Sequence, residues 1–119
     1  MPDDANSSTG PPVLIPDDQW NMPVSLTKAG QYVNLRDYVA PGGDPIPVRA
    51  LNEQQRAAVA AKRIEMQPGY EMVGISAGII RQDRAIREIR SQSDLGRSLT
   101  GVEMRVAMHL VDKLSDKRG

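Results

Sequence analysis

Prolines dominate the first half of this chain. Eight of the nine lie before residue 48, namely Pro2, Pro11, Pro12, Pro16, Pro23, Pro41, Pro45 and Pro47. Proline fixes φ, lacks a backbone N–H donor and biases the preceding residue toward extended geometry. The first half therefore cannot be mainly helical, and we predict an extended, proline-rich N-terminal arm over residues 1–50. Its first residues, MPDDANSSTGPP, have the composition of a disordered tail.

Residues 13–26, VLIPDDQWNMPVSL, are too apolar for a free linker. Pro16 and Pro23 exclude a long helix or a central strand in this segment. An extended apolar peptide of this kind is usually held against another surface. Trp20 is the candidate anchor, because large aromatic side chains dominate interface energetics. Two interpretations stay open: the segment binds a partner protein, or it folds back over the helices of its own chain.

Residues 31–39, QYVNLRDYV, alternate partly between apolar and polar side chains. With APGGDP as a turn and IPVRAL as a return segment, they predict a short β-hairpin within residues 31–50. Pro45 and Pro47 would confine the return strand to a sheet edge. The competing interpretation is a single helical turn that Asn34 caps and that ends at Val39.

The composition changes abruptly at Asn52, and residues 51–119 predict a small domain of three helices, so that the chain as a whole is mainly α. The first helix is predicted over residues 53–66. Asn52 and Gln55 can form a capping box at its start, and Pro68 stops it. Its apolar face is mostly alanine, which allows a second helix to approach closely.

The second helix is predicted over residues 71–92, from five apolar residues in heptad positions: Met72, Ile75, Ile79, Ile86 and Ile89. Gln82 interrupts this pattern where a further apolar residue would fall. Gly74 and Gly78 argue for a different structure, since each costs a helix interior about 1 kcal/mol. A strand over EMVGISAGII is therefore the alternative.

The third helix is predicted over residues 101–116. Thr100 is its expected N-cap, Glu103 the capping-box partner, and Leu99 is placed to pack against Met104. Apolar residues of this helix cover roughly two-thirds of its circumference at about 100° per residue. Such a wide apolar surface has to be covered by the rest of the chain or by a partner.

The charged and reactive residues do not predict an enzyme. Cysteine is absent, which excludes disulfides and thiolate metal sites, and His109 is the only histidine. No nucleophile-elbow, P-loop or dinucleotide-binding motif is present. We therefore expect no catalytic residues, no metal and no cofactor. Basic and acidic residues both number 15, so the chain lacks an overall field that would recruit nucleic acid or a membrane.

Five arginines form the most suggestive charged feature: Arg81, Arg84, Arg87, Arg90 and Arg97. Steps of three residues drift around a helix by about 60° each, so these side chains spiral. Acidic neighbours neutralise part of their charge, and no aromatic residue is nearby to stack a base. A solvated or interface surface is the favoured interpretation. The alternatives are contacts to acidic protein segments and phosphate binding.

The predicted helical unit is close to the size at which a core alone is marginally stable, so association would complete its burial. We therefore expect a non-enzymatic assembly, connector or cement-like subunit that binds protein neighbours as a homo-oligomer or hetero-oligomer. The candidate partner-binding residues are Leu14, Ile15, Trp20, Met22, Leu26, Met104, Met108 and Val111. A small helical regulator that binds nucleic acid through the five arginines is the alternative function.

An extended arm joined to a small helical body is also typical of small structural proteins in tailed-phage virions, which gives one expected setting for such a subunit. The acidic, polar first residues predict no secretion by a signal peptide, and no apolar run approaches the roughly 18 residues of a membrane span. The expected location is the cytoplasm, or a particle assembled there.

Overall fold

The computed structural model describes residues 15–74 and 78–118, with side chains described as far as residue 114. The described chain is mainly helical, as predicted, and contains two small antiparallel sheets. The elements in chain order are α1 (Asp17–Asn21), β1 (Pro23–Leu26), β2 (Tyr32–Asn34), α2 (Leu35–Val39), a 3-10 turn (Val48–Ala50), α3 (Glu53–Glu65), β3 (Glu71–Gly74), β4 (Gly78–Arg81), α4 (Gln82–Ser91) and α5 (Asp94–Arg118).

The first sheet corrects the hairpin predicted within residues 31–50. β2 pairs with β1, which precedes it, and the segment from Ile46 onward is not a strand. Pro45 and Pro47 cannot donate to a ladder, and Ile46 alone donates a backbone hydrogen bond to Leu26. The competing interpretation is confirmed: Asn34 caps α2 by accepting a 2.8 Å hydrogen bond from the backbone N–H of Asp37.

The helix predicted over residues 53–66 is present as α3, which ends one residue earlier. Its capping box is confirmed: the Asn52 and Gln55 side chains each accept a hydrogen bond from the other residue's backbone N–H, both 2.8 Å long. Ala57, Ala60 and Ala61 are buried. The alanine face therefore forms part of the interior.

The helix predicted over residues 71–92 is wrong in its first half, where β3 and β4 form an antiparallel hairpin, and right in its second half, where α4 lies. Two features of these residues favour the strands over a helix. Val73, Ile79 and Ile80 are β-branched, and Gly78 has a φ of +73°, which no right-handed helix accommodates. Gly74 and Gly78 are the last cross-strand partners of this hairpin, and residues 75–77 lie outside the described part.

Gln82, which interrupts the heptad pattern, has a structural task at the start of α4. Its side-chain amide donates to the backbone carbonyls of Ile64 at 2.9 Å and of Gln67 at 3.2 Å. The Ile64 carbonyl lies in the last turn of α3, where carbonyls lack helical partners, and Gln67 follows the end of that helix. A polar side chain at this position therefore joins the end of α3 to the start of α4.

The third predicted helix begins six residues earlier than Thr100, at Asp94. Ser93 is the capping residue, because its hydroxyl accepts a 3.0 Å hydrogen bond from the backbone N–H of Gly96. Thr100 lies inside α5 and donates to the Gly96 carbonyl. Glu103 is bound elsewhere, so the predicted capping box is wrong.

The hydrophobic interior comprises two clusters of buried residues. The first cluster contains Val24, Leu26, Leu35, Val48, Leu51, Val59, Met104, Ala107 and Val111. The second cluster contains Ala57, Ala60, Ala61, Ile64, Tyr70, Ile80, Ala85, Ile89 and Leu99. Because Leu99 and Met104 belong to different clusters, the packing predicted between them is wrong.

The first cluster draws side chains both from the predicted arm and from the predicted helical domain. The boundary at residue 50 therefore does not separate two cores, and residues 15–51 provide part of the cover that the wide apolar surface of α5 requires. Segment 13–26, as far as it is described, folds back over its own chain. In the described ranges 15–74 and 78–118, no helix has both the length and the apolar character to cross a bilayer.

Candidate interaction surface

The structure places most of the predicted partner-binding residues inside the protein. Met22, Leu26, Met104 and Val111 are buried, and Ile15, Trp20 and Met108 are partly buried against the first cluster. Leu14 lies outside the described residues. Arg36 lies over the Trp20 ring, 6.0 Å from its centroid. In this fold these side chains stabilise the chain itself, and the exposed apolar surface lies elsewhere.

The most exposed apolar side chains belong to the β3–β4 hairpin. Val73 is 78% exposed and Ile79 is 56% exposed. The two residues are direct cross-strand partners, so their side chains lie on the same surface of the sheet. Ile80, on the opposite surface, is completely buried in the second cluster. The hairpin is thus anchored by one surface and presents an aliphatic pair on the other.

A charged pair lies beside this aliphatic pair. Glu71 and Arg81 are also direct cross-strand partners, two residues along each strand from Val73 and Ile79. Since side chains alternate along a strand, all four lie on the same side of the sheet. The Arg81 Nε lies 3.7 Å from a Glu71 carboxylate oxygen. We call the surface formed by Glu71, Val73, Ile79 and Arg81 the hairpin face.

The five arginines of the sequence-based alternative do not form one surface. Arg81 belongs to the hairpin face, and Arg97 is bonded to the Gln92 carbonyl at 2.7 Å and to Asp94. Arg84, Arg87 and Arg90 lie on the side of α4 away from the buried Ala85 and Ile89, spread over about 120° of the helix circumference. The structure therefore brings three of the five together, among the carboxylates of Asp83 and Glu88.

His109 is exposed on α5, and its acidic neighbour Asp112 is held by another residue. Arg49 donates two hydrogen bonds to the Asp112 carboxylate, 2.9 and 2.7 Å long. This hydrogen bonding, with a smaller contribution from the charge of His109, keeps the pKa of Asp112 below its usual value. Asp112 is thus paired with Arg49 as a surface link between the 3-10 turn and α5.

Replacing Arg49 by glutamine is expected to raise the pKa of Asp112 toward its ordinary value, measured by NMR titration of the carboxyl carbon. In the folded protein the pKa is lowered, so ionised Asp112 favours folding above its unfolded pKa, and this contribution is lost as the pH falls through the folded pKa. Lys28→Gln, beside a different carboxylate, is the control. An unchanged Asp112 titration in Arg49→Gln would contradict the assignment.

The structure also reveals a buried ion pair that the sequence did not predict. The Arg63 guanidinium donates to Glu103 at 3.0 Å, to the Pro23 carbonyl at 3.0 Å and to the Gln19 side chain at 2.9 Å. The buried Tyr70 hydroxyl has no hydrogen-bond partner among the described residues, and the pKa of Tyr70 is raised by burial and by the charge of Glu103. The three hydrogen bonds of Arg63 connect α3 with α5, β1 and α1.

A cleft of about 220 Å³ lies among α3, α4 and α5, lined by Glu53, Arg56, Ala57, Ile89, Gln92, Arg97, Thr100 and Gly101. Its charged side chains are one glutamate and two arginines, and Arg97 is bonded to Asp94. Among the residues with described side chains, no group of three or more histidine, cysteine, aspartate or glutamate residues is arranged to hold a metal ion.

The hairpin face was missed because it depends on strand pairing. The sequence predicts a heptad position in a helix for Ile79 and no role for Val73. The available signal was the pair Gly74 and Gly78, which supported the strand alternative, together with the β-branched residues Val73, Ile79 and Ile80 outside them. Comparison of the chain with protein-family models, with curated proteins and with solved structures finds no match. Functional inference therefore rests on the residues themselves.

Proposed function

We propose that this chain is a non-enzymatic assembly subunit that binds protein neighbours through the hairpin face. The observation that carries the proposal is the exposed Val73–Ile79 pair. Burying a valine or isoleucine side chain is worth about 1.5 to 3 kcal/mol, so leaving both in water forgoes a substantial gain. A protein partner that covers both side chains recovers it.

The surroundings of the aliphatic pair support a protein as the partner. Glu71 and Arg81 provide a charged border next to the apolar centre, an arrangement typical of protein interfaces. β3 and β4 pair with each other and with no third strand in the described ranges. Because an isolated two-stranded sheet is marginally stable in water, a partner packed on its outer surface would also stabilise the hairpin.

The assembly role expected from the sequence is thus retained with a different contact surface. The arm and the apolar side of α5 were the expected surfaces, and they are largely used within the chain. The hairpin replaces them as the docking element. The basic surface of α4 supports nucleic-acid binding less well, since Asp83 and Glu88 accompany its three arginines and unstacked bases find no aromatic platform there.

Replacing both Val73 and Ile79 by serine is expected to weaken binding of the partner at least tenfold. The reason is the lost burial of two aliphatic side chains, worth more than the 1.4 kcal/mol that a tenfold change requires. Partners are captured with the tagged full-length chain from cells that contain it, identified by mass spectrometry, purified, and titrated by calorimetry.

Tyr32→Ser is the matched control, because Tyr32 is about half exposed but lies on β2 of the other sheet. It should retain binding. Both variants should keep the circular dichroism spectrum and the melting temperature of the wild type. Equal affinity of the hairpin variant and the wild type for the purified partner would disprove the proposed surface.

A further inference from the structure

We propose that the hairpin face binds a second copy of this chain, with two hairpins packed face to face about a two-fold axis parallel to their strands. This inference rests on the proposed function, because it assigns an occupant to the same surface. It is argued from the order of charges and apolar groups on the hairpin face, which makes the face complementary to itself.

The geometry follows from the register. β3 and β4 are antiparallel, with Glu71 opposite Arg81 and Val73 opposite Ile79. A two-fold axis that runs between two facing hairpins, along the strand direction, places β3 of one copy over β4 of the other. Glu71 then faces Arg81 of the second copy. Two residues further along each strand, Val73 of one copy faces Ile79 of the other. A single arrangement therefore pairs opposite charges and also pairs aliphatic side chains.

Other two-fold arrangements lack this match. An axis perpendicular to the strands, centred on Val73 and Ile79, places the Glu71–Arg81 end of one hairpin beyond the Gly74–Gly78 end of the other. The two charged pairs then lie at opposite ends of the contact, with no partner of opposite charge from the facing copy. An isologous interface requires each surface to complement itself, and the parallel axis satisfies this requirement for charges and apolar groups together.

The contact is short, which determines its strength. Each strand has four residues and spans about 13 Å. Two such strands therefore cover much less area than the roughly 800 Å² per partner of a standard interface. We therefore expect a weak, reversible dimer, visible at high protein concentration. Concentration-dependent NMR shifts should be confined to the hairpin face, and sedimentation equilibrium up to about 1 mM should show the monomer–dimer transition.

Charge exchange between copies tests the geometry. Glu71→Arg alone brings two positive groups into opposition across the axis, and Arg81→Glu alone brings two negative groups together, so each variant should dimerise at least tenfold more weakly than the wild type. Mixing the two variants should restore association as a heterodimer, because each new side chain then meets its opposite charge. The pair within each hairpin stays broken in the mixture, so restored association must come from contacts between copies.

The controls separate this inference from the proposed function. Val73→Ser/Ile79→Ser should be monomeric, and Lys28→Glu, at an exposed lysine outside the hairpin, should dimerise like the wild type. A wild type that stays monomeric at 1 mM, or a mixture no more associated than its components, overturns the second-copy inference. The proposed function fails separately, when the serine variant keeps full affinity for the purified heterologous partner.

Discussion

Replacing Arg63 by methionine is expected to lower the free energy of unfolding by about 3 to 5 kcal/mol. The Arg63 and Glu103 side chains are 1% and 8% exposed, so the substitution leaves a carboxylate buried without its counter-charge. Two further acceptors, the Pro23 carbonyl and the Gln19 side chain, lose their donor as well. Because these bonds connect α1 and β1 to α3, the N-terminal elements should separate from α3 first.

Urea denaturation monitored by Trp20 fluorescence and by far-ultraviolet circular dichroism measures both effects. The double variant Arg63→Met/Glu103→Leu removes the buried charges together and should be more stable than Arg63→Met, since a pair of apolar residues can replace a buried ion pair at little cost. Arg49→Met breaks the exposed pair with Asp112 and should change the urea midpoint little. Equal stability of Arg63→Met and Arg49→Met would show that the buried pair carries no special weight.

The parts of the fold that sequence analysis predicted correctly depend on residues close together in the chain. The Asn52–Gln55 capping box and the Asn34 cap each involve a side chain and a backbone group three residues apart. Such bonds are favoured by the local sequence itself. For this reason α3 and the turn at α2 could be predicted without knowledge of the tertiary structure.

The errors arose where two local patterns competed. Residues 71–81 fit both a heptad and a β-branched strand pattern, and the buried position of Ile80 in the second cluster, together with the positive φ of Gly78, favours the hairpin. At α5 the sequence predicted Thr100 as the N-cap, whereas Ser93 caps the helix in the structure. Glu103, the expected partner of Thr100, instead pairs with Arg63, forty positions away in the sequence. The packing of Ile80 in the second cluster and the pairing of Glu103 with Arg63 both join residues far apart in the sequence, so a local window does not reveal them.

The location of the candidate site could not be predicted from the sequence. The sequence indicated an apolar surface in need of cover, but it assigned that surface to α5. Val24, Leu26 and Leu35 cover α5 from within the chain. The sequence of an extended segment contains no periodic pattern that shows which helix the segment packs against. The exposed pair Val73 and Ile79 emerges only once the register of β3 with β4 is known.

Replacing Gly96 by alanine is expected to destabilise the protein by about 3 kcal/mol or more, the upper end of the usual cost of overpacking. Gly96 lies in the first turn of α5, where that helix crosses α4. A methyl group on its Cα would lie 1.9 Å from the Glu88 carbonyl oxygen and 2.8 Å from the Ile89 backbone nitrogen. These are backbone atoms of a helix, so the clash is relieved only if α4 and α5 move apart.

Gly101→Ala separates this clash from the general effect of removing a helical glycine. Gly101 lies in the same helix, and a methyl group there would contact only the Arg105 guanidinium, at an ordinary 3.6 Å. Alanine is favoured over glycine in a helix by about 1 kcal/mol, so this variant should melt at an equal or higher temperature. Calorimetry should therefore show a lower melting temperature for Gly96→Ala and an equal or higher melting temperature for Gly101→Ala, each compared with the wild type. A Gly96→Ala protein as stable as the wild type would mean that α4 and α5 are not in close contact at this crossing.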